Sequence, residues 1–226
     1  ALRICGLEKR QLPELRPIGG VAARTNAGAA EFGLPTGIPV VLAGNDQTAG
    51  AYAARLDENH GLLVTLGTAH VAYAYAARMP PPNSALVRGP FPHGGYYRMA
   101  AGCGGNVVNW AETVLAGCGT TESFFQQAAQ AHPGCQGLRF DATCDNGQGI
   151  WSRIGLHHTP ADFARSVVES LTRRIAVMIK ELGVRATKTR VLVAGGGSKS
   201  RVWMGILGET LGARIKVTQG HPHLGA

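Results

Sequence analysis

Residues 190–212 read RVLVAGGGSKSRVWMGILGETLG. Val191, Leu192 and Val193 are aliphatic with no intervening charge and predict a short buried strand, with Gly195, Gly196 and Gly197 directly behind it. A helix is expected next. Val202, Trp203, Ile206, Leu207, Thr210 and Leu211 recur mainly three and four apart, as one helix face does, and Gly212 closes the pattern as a C′ glycine. Such a strand, turn and helix N-terminus cradles anions and nucleotides, because unpaired N–H groups point out of the turn and no Cβ blocks close approach.

Two named versions of this turn fit poorly. A Walker A loop needs Gly, four residues, then Gly-Lys-Ser/Thr, and Gly197-Ser198-Lys199-Ser200 misses that spacing. A dinucleotide fingerprint needs Gly-x-Gly-x-x-Gly/Ala and an acidic residue about 20 positions on, whereas Ser200 holds the third place and the next strand offers Lys216. A glycine-rich turn with no ligand stays open as the third reading.

At 226 residues and 45% hydrophobic the chain can bury a real core as one large domain or two small ones. Its net charge of +8 suits anionic ligands, but the basic residues are scattered and aromatics make up 6%, so no nucleic-acid surface is indicated and phosphorylated small molecules fit. Five cysteines without a CxxC pair predict reduced thiols and a cytoplasmic protein, with a Cys135–Cys144 bridge as the alternative. His157 with His158 and His221 with His223 lack cysteine or carboxylate partners at metal-finger spacing, so solvated loop histidines and no metal site are expected. Thr65, Thr68 and His70 interrupt the apolar run from Leu62 to Ala77, which is wrong for a bilayer span, and no signal peptide is expected.

Along the chain, residues 1–37 read as an irregular leading segment with a short helix at Asn26–Phe32. Ile38–Ala43 predicts a buried strand, followed by Gly44-Asn45-Asp46-Gln47 and a helix of small residues. Asp46 thus opens a helix at a strand's end, where open α/β sheets place ligand-handling groups and where an aspartate N-cap is equally common. Gly61–Leu66 and Val71–Ala77 predict a hairpin around Gly67-Thr68, whose hydroxyl and N–H could meet a phosphate oxygen or serve as an ordinary turn. Tyr96–Ala101, Gly102-Cys103-Gly104-Gly105-Asn106 and Val107–Ala116 repeat the strand, glycine turn and helix, and two such turns raise the nucleotide reading. Glu122–Ala131 predicts a polar helix, Pro133–Gly149 a glycine-rich loop and Pro160–Leu182 a long helix. Its apolar stripe is Phe163, Val167, Leu171, Ile175, Met178 and Leu182, with Arg165, Arg173, Arg174 and Lys180 on a solvated face.

In this order, GLPTGIPVVLAGNDQTAGA, GLLVTLGTA, MAAGCGGNVVNW, IGLHHTPADFARSVVESLTRRI and VLVAGGGSKSRVWMGILGETLGARIKV resemble the C-terminal domain of the FGGY carbohydrate kinases, over nearly the whole chain. The resemblance implies an α/β, ribonuclease-H-like domain of the actin and sugar-kinase superfamily, its mixed sheet flanked by helices. It implies ATP with Mg2+, a sugar or polyol substrate as in xylulokinase, and a homodimer as a common state. Asp46 would be the general base toward the attacking hydroxyl, Gln47 a ligand of a neighbouring hydroxyl, and Gly67, Thr68 and Gly105 contacts of the phosphates and nucleotide. Gly195, Gly196, Lys199 and Ser200 would flank adenosine.

Residues 38–226 would then be the nucleotide-binding domain, short of its final helix, and 1–37 the lead-in from an N-terminal domain that has no counterpart here. The chain is therefore expected to be part of a longer protein. The loop from Gly149 to Gly155 reads as slightly longer than the family pattern. A non-catalytic nucleotide sensor is the competing function, and a dinucleotide-dependent oxidoreductase, disfavoured by Lys216, a third.

Overall fold

The structure, a computed structural model, describes residues 2–57, 61–83, 85–92, 94–115, 119–143 and 148–218. In chain order its elements are α1 (Leu2–Cys5), β1 (Val21–Arg24), β2 (Pro39–Val41), α2 (Asp46–Ala53), β3 (Leu62–Leu66), β4 (Ala69–Ala76), β5 (Val87–Pro90) and β6 (Tyr96–Cys103). There follow α3 (Gly105–Val114), α4 (Thr121–Gln130), β7 (Arg139–Thr143), β8 (Gln148–Ser152), α5 (Pro160–Glu181), β9 (Val191–Ala194), α6 (Arg201–Leu211) and β10 (Ile215–Val217).

Six strands form the central sheet in the order β10-β9-β3-β4-β6-β5. β9 runs parallel to both β3 and β10, while β4, β6 and β5 are antiparallel to their neighbours. The sheet is therefore mixed, as expected. A parallel neighbour needs a crossover, and α6 supplies it between β9 and β10.

Alternation along each strand sorts the side chains onto two faces. Leu62, Val64, Leu66, Ala72, Ala74, Val191 and Val193 join a core with α3, α4, α5 and α6, through Val108, Phe124, Leu171, Ile175 and Trp203. Leu63, Tyr73, Leu192, Ala194 and Tyr97 form a second core with Ala51 and Leu56. The helices on the first face explain the run of unbroken apolar residues in β3 and β9, both of which are covered on two sides.

The long helix has its expected start and stripe. Thr159 and Asp162 form a reciprocal capping box with Pro160 in the first turn, and Val167, Leu171, Ile175, Met178 and Leu182 are buried. Arg165 departs from the solvated face: it is buried, donating to Glu169 Oε1 at 2.8 Å and to the Ala131 carbonyl at 3.2 Å. Glu169 also accepts the Gly134 N–H at 2.9 Å, so this ion pair fastens the loop after α4 to α5.

Four other expectations change. The leading segment contains β1, which pairs antiparallel with β2. β2 is shorter than Ile38–Ala43 and exposed, because its partner is one two-stranded ribbon and no described helix covers it. The 133–149 stretch, read as a loop, supplies β7 and the start of β8, a hairpin whose Phe140 and Trp151 stack with Trp110; its alternation was hidden by glycines and by charge at Arg139 and Asp141. Cys5 and Cys135 are free, but Cys103 is disulfide-bonded, its partner lying outside the described residues, which corrects the reduced-thiol expectation at that position.

Candidate functional site

Three glycine turns meet at one end of the sheet. Leu66 pairs with His70, Ala69 with Cys103 and Thr65 with Ala194, so β3, β6 and β9 end where β4 begins. Gly67-Thr68, Gly104-Gly105 and Gly195-Gly196-Gly197 follow these strand ends. The first two are bonded directly: Gly105 N–H donates to the Gly67 carbonyl at 2.8 Å and Asn106 N–H to the Thr68 carbonyl at 3.2 Å. A Cβ on Gly104 would stand 2.6 Å from the Ala69 carbonyl carbon, and one on Gly105 2.9 Å from the Gly67 oxygen. Only glycine allows that approach. Gly195 packs in the same way on the Leu66 backbone, and Gly197 lies against the Trp203 ring and the Leu66 side chain.

Beside the third turn a cleft of about 680 Å³ opens between α4 and the start of α6. Gly196, Lys199, Ser200, Arg201 and Val202 form one wall, and Thr121, Glu122, Phe125 and Gln126 the other. Its size lies in the range of small-molecule sites. Lys199 and Arg201 bring positive charge, the N-terminus of α6 adds its unpaired N–H groups, and Phe125 gives an apolar surface for a flat ring. The Ser200 hydroxyl is the N-cap of α6, accepting from Trp203 N–H at 3.2 Å. The α4 wall went unassigned in the sequence; the adjacent Phe124 and Phe125 in an otherwise polar helix were the available signal.

Asp46 and Gln47 lie on α2, which packs on the other face of the sheet. The two readings of Asp46 separate here. Asn45, not Asp46, is the N-cap, its Oδ1 accepting Thr48 N–H at 2.7 Å. Asp46 is exposed, and its Oδ1 accepts the N–H of Gln47 at 2.9 Å. Of the predicted residues, the cleft gathers Gly196, Lys199 and Ser200; Gly195 borders it, Gly67, Thr68 and Gly105 make the neighbouring turns, and Asp46 and Gln47 stand apart on α2. Among the described residues no group of three or more His, Cys, Asp or Glu side chains could hold a metal ion. The rings of His157 and His158 lie tilted against each other with centroids 4.1 Å apart, His158 Nδ1 accepts the Gly155 N–H, and His221 and His223 lie outside the described residues.

A mixed sheet with glycine turns gathered at its strand ends, flanked by a cleft that carries Lys199 and Arg201, makes an α/β domain with backbone N–H groups and positive charge where an anion can approach. The chain belongs to the FGGY family of carbohydrate kinases: residues 62–226 match the model of the family's C-terminal domain. It is 26% identical over 233 residues to L-fuculokinase of Escherichia coli strain K12, covering 96% of this chain and 48% of that one. It is 27% identical over 209 residues to xylulose kinase of Staphylococcus epidermidis, covering 85% and 41%. Among solved structures, xylulose kinase from Rhodospirillum rubrum superposes with a TM-score of 0.82 at 23% identity, over 100% of this chain and 49% of that one. Ligand-bound xylulose kinase from Lactobacillus acidophilus gives 0.85 at 20% identity, over 100% and 49%. The fold is thus the ribonuclease-H-like fold of the actin and sugar-kinase superfamily, and the chain spans about half the length of the curated relatives it matches. Nothing in these likenesses favours a non-catalytic module. No helix among the described residues is long and apolar enough to cross a membrane.

Proposed function

We propose that this chain is the nucleotide-binding half of an ATP-dependent kinase that phosphorylates a hydroxyl of a sugar or polyol, most like a xylulose kinase. The observation that carries the reading is the meeting of three glycine turns at one sheet end beside a basic cleft of about 680 Å³. The cleft takes the adenosine, with Gly195, Gly196, Lys199 and Ser200 on one side and Phe125 and Gln126 on the other. Gly67 and Thr68 meet the phosphates through backbone N–H groups and the Thr68 hydroxyl, and Gly105, its own N–H held by the Gly67 carbonyl, admits the nucleotide by having no side chain. Mg2+ accompanies the nucleotide and neutralises charge on its phosphates.

Asp46 is the general base in this reading. Its carboxylate accepts the proton of the sugar hydroxyl as that oxygen bonds to the γ-phosphorus of ATP, while the bond to the bridging oxygen breaks and ADP leaves. Gln47 orients the sugar through a neighbouring hydroxyl. Being exposed at a helix N-terminus, Asp46 stands ready to meet a substrate held by another domain. Residues 38–226 make up the nucleotide-binding domain, and 1–37 join it to an N-terminal domain that completes the site. We place the protein in the cytoplasm as a homodimer without nucleic-acid partners, on the family likeness.

The test is a phosphotransfer assay of the full-length protein against a panel of ketoses and polyols. Turnover of one or more, abolished by Asp46→Asn, is expected. Inactivity on the whole panel, with Asp46→Asn indistinguishable from wild type in ATP binding and hydrolysis, counts against it.

A further inference from the structure

Two tyrosine hydroxyls hold the residues on either side of Asp46. Asn45, just before it, donates from Nδ2 to the Tyr97 hydroxyl at 3.3 Å while its Oδ1 caps the helix. Thr48, two residues after it, shares a 3.0 Å hydrogen bond between its Oγ1 and the Tyr73 hydroxyl. Tyr73 and Tyr97 are buried, come from the neighbouring strands β4 and β6, and stack with ring centroids 4.9 Å apart. Gly44 fixes the approach: its φ is +80°, and a Cβ there would stand 3.0 Å from Ile18 Cδ1. Asp46 itself is exposed, and its carboxylate accepts from the backbone and side-chain amides of Gln47. Its place in space is therefore set by the backbone between Asn45 and Thr48, and that backbone is tied to the sheet by the two phenols.

We propose that Tyr73 and Tyr97 are positioning residues for Asp46, an inference that rests on the reading of Asp46 as the base. Packing alone would be served as well by phenylalanine at both places. Two hydroxyls from two strands reaching the same helical turn, one to each flank of a carboxylate, are what packing does not require. The stack makes the tyrosines a rigid base, and the sheet beneath them joins α2 to the strands whose ends carry the glycine turns. Misplacement of a reacting group by about 1 Å costs on the order of 100-fold in rate. Burial pushes the Tyr73 hydroxyl above its ordinary range, so it stays a neutral hydrogen-bonding group at working pH.

The experiment uses the full-length protein and the panel substrate with the highest turnover. Tyr97→Phe, Tyr73→Phe, their double variant, Thr48→Val and Asp46→Asn are compared by kcat, by KM for ATP and by melting temperature. Each single loss of a hydroxyl is expected to lower kcat about 10-fold with KM for ATP within about twofold of wild type, and the double variant to fall further. Thr48→Val removes the Tyr73 bond from its other end and should match Tyr73→Phe, with no added loss when the two are combined. The melting temperatures of the three hydroxyl variants should stay close to wild type while kcat falls, which a general loosening of the fold would not reproduce.

Phenylalanine variants with kcat within about twofold of wild type, while Asp46→Asn is inactive, overturn the inference and leave the base assignment standing. So does a loss of kcat that follows a fall in melting temperature across the hydroxyl variants. Full activity in Asp46→Asn overturns the base assignment first, and this inference with it.

Discussion

Gly195 stands against Leu66 so closely that a Cβ on it would lie 2.6 Å from the Leu66 carbonyl oxygen, and its φ of +92° lies where side chains are rarely found. The third glycine turn is thereby locked onto the end of β3, next to the first. Gly195→Ala is expected to destabilise the fold, the backbone conformation alone costing about 1–3 kcal/mol, and to lower ATP binding with it. Gly196 is the matched control. Nothing lies within 4 Å of a Cβ placed there, yet it lines the cleft. Gly196→Ala should keep the melting temperature and weaken ATP binding by about 1 kcal/mol, roughly fivefold. Calorimetry and thermal melts on the two variants check the pair, and equal melting temperatures would refute the packing argument.

His70 sits below these turns, fully buried on β4, with the Trp203 ring 5.1 Å away and both ring nitrogens lacking a hydrogen-bond partner among the described residues. Burial lowers its pKa from 6.5 to about 4. Between those values the unfolded chain binds a proton that the folded chain refuses, so stability is full above pH 6.5 and is lost as the pH falls toward 4. The loss attributable to this group reaches about 3 kcal/mol. Urea unfolding midpoints measured from pH 7 to pH 4 should fall steeply in the wild type. His70→Leu, which removes the titrating ring and its unpaired nitrogens, should flatten that slope; an unchanged slope would show that other groups set it.

What could be read from the residues divides along a physical line. β3 and β9 were legible as unbroken apolar runs, and α5 and α6 through the period of one buried face, with Thr159-Pro160 and Gly212 marking helix ends in the sequence. The β7–β8 hairpin was not, since Phe140 and Trp151 pack against rings from two separate helices, Trp110 stacking on Phe140 and Phe163 meeting Trp151 edge-on. The glycine turns could be seen one by one, but their bonding to each other, Gly105 to Gly67, depends on strand order. Phe124 and Phe125 marked α4 in the sequence, but that it faces the third turn depends on the same tertiary arrangement. Position alone left Asp46 between a cap and a base, and only the side chain of Asn45 resolved who caps α2.

Glu169 carries more than a surface charge would. Its carboxylate meets Arg165 at 2.8 Å and Arg173 at 3.6 Å, with only 10% of the Arg165 side chain and 14% of its own exposed, and it also accepts the Gly134 N–H. Removing one partner of a nearly buried pair strands the other charge. Glu169→Ala should therefore destabilise by about 3 kcal/mol, far more than an exposed pair such as Arg16–Glu14 would. Denaturant melts of Glu169→Ala beside Glu14→Ala provide the comparison, and similar small losses in both would refute it.

The thiols offer a test of the fold at single positions. Cys135 is buried, and burial, reinforced by the nearby Glu169 charge, pushes its thiol up to about 12, so almost no thiolate exists near neutral pH. Cys5 is exposed and free, and Cys103 is held in a disulfide at the end of β6, one residue before the Gly104-Gly105 turn. The thiolate is the form that alkylates. Iodoacetamide applied to the native, unreduced chain at pH 8 should label Cys5 quickly, Cys135 only after denaturant is added, and Cys103 only after a reductant. Peptide-resolved mass spectrometry reads all three. Rapid native labelling of Cys135 would mean that the loop after α4 does not rest on α5, and native labelling of Cys103 would remove the disulfide from the second glycine turn.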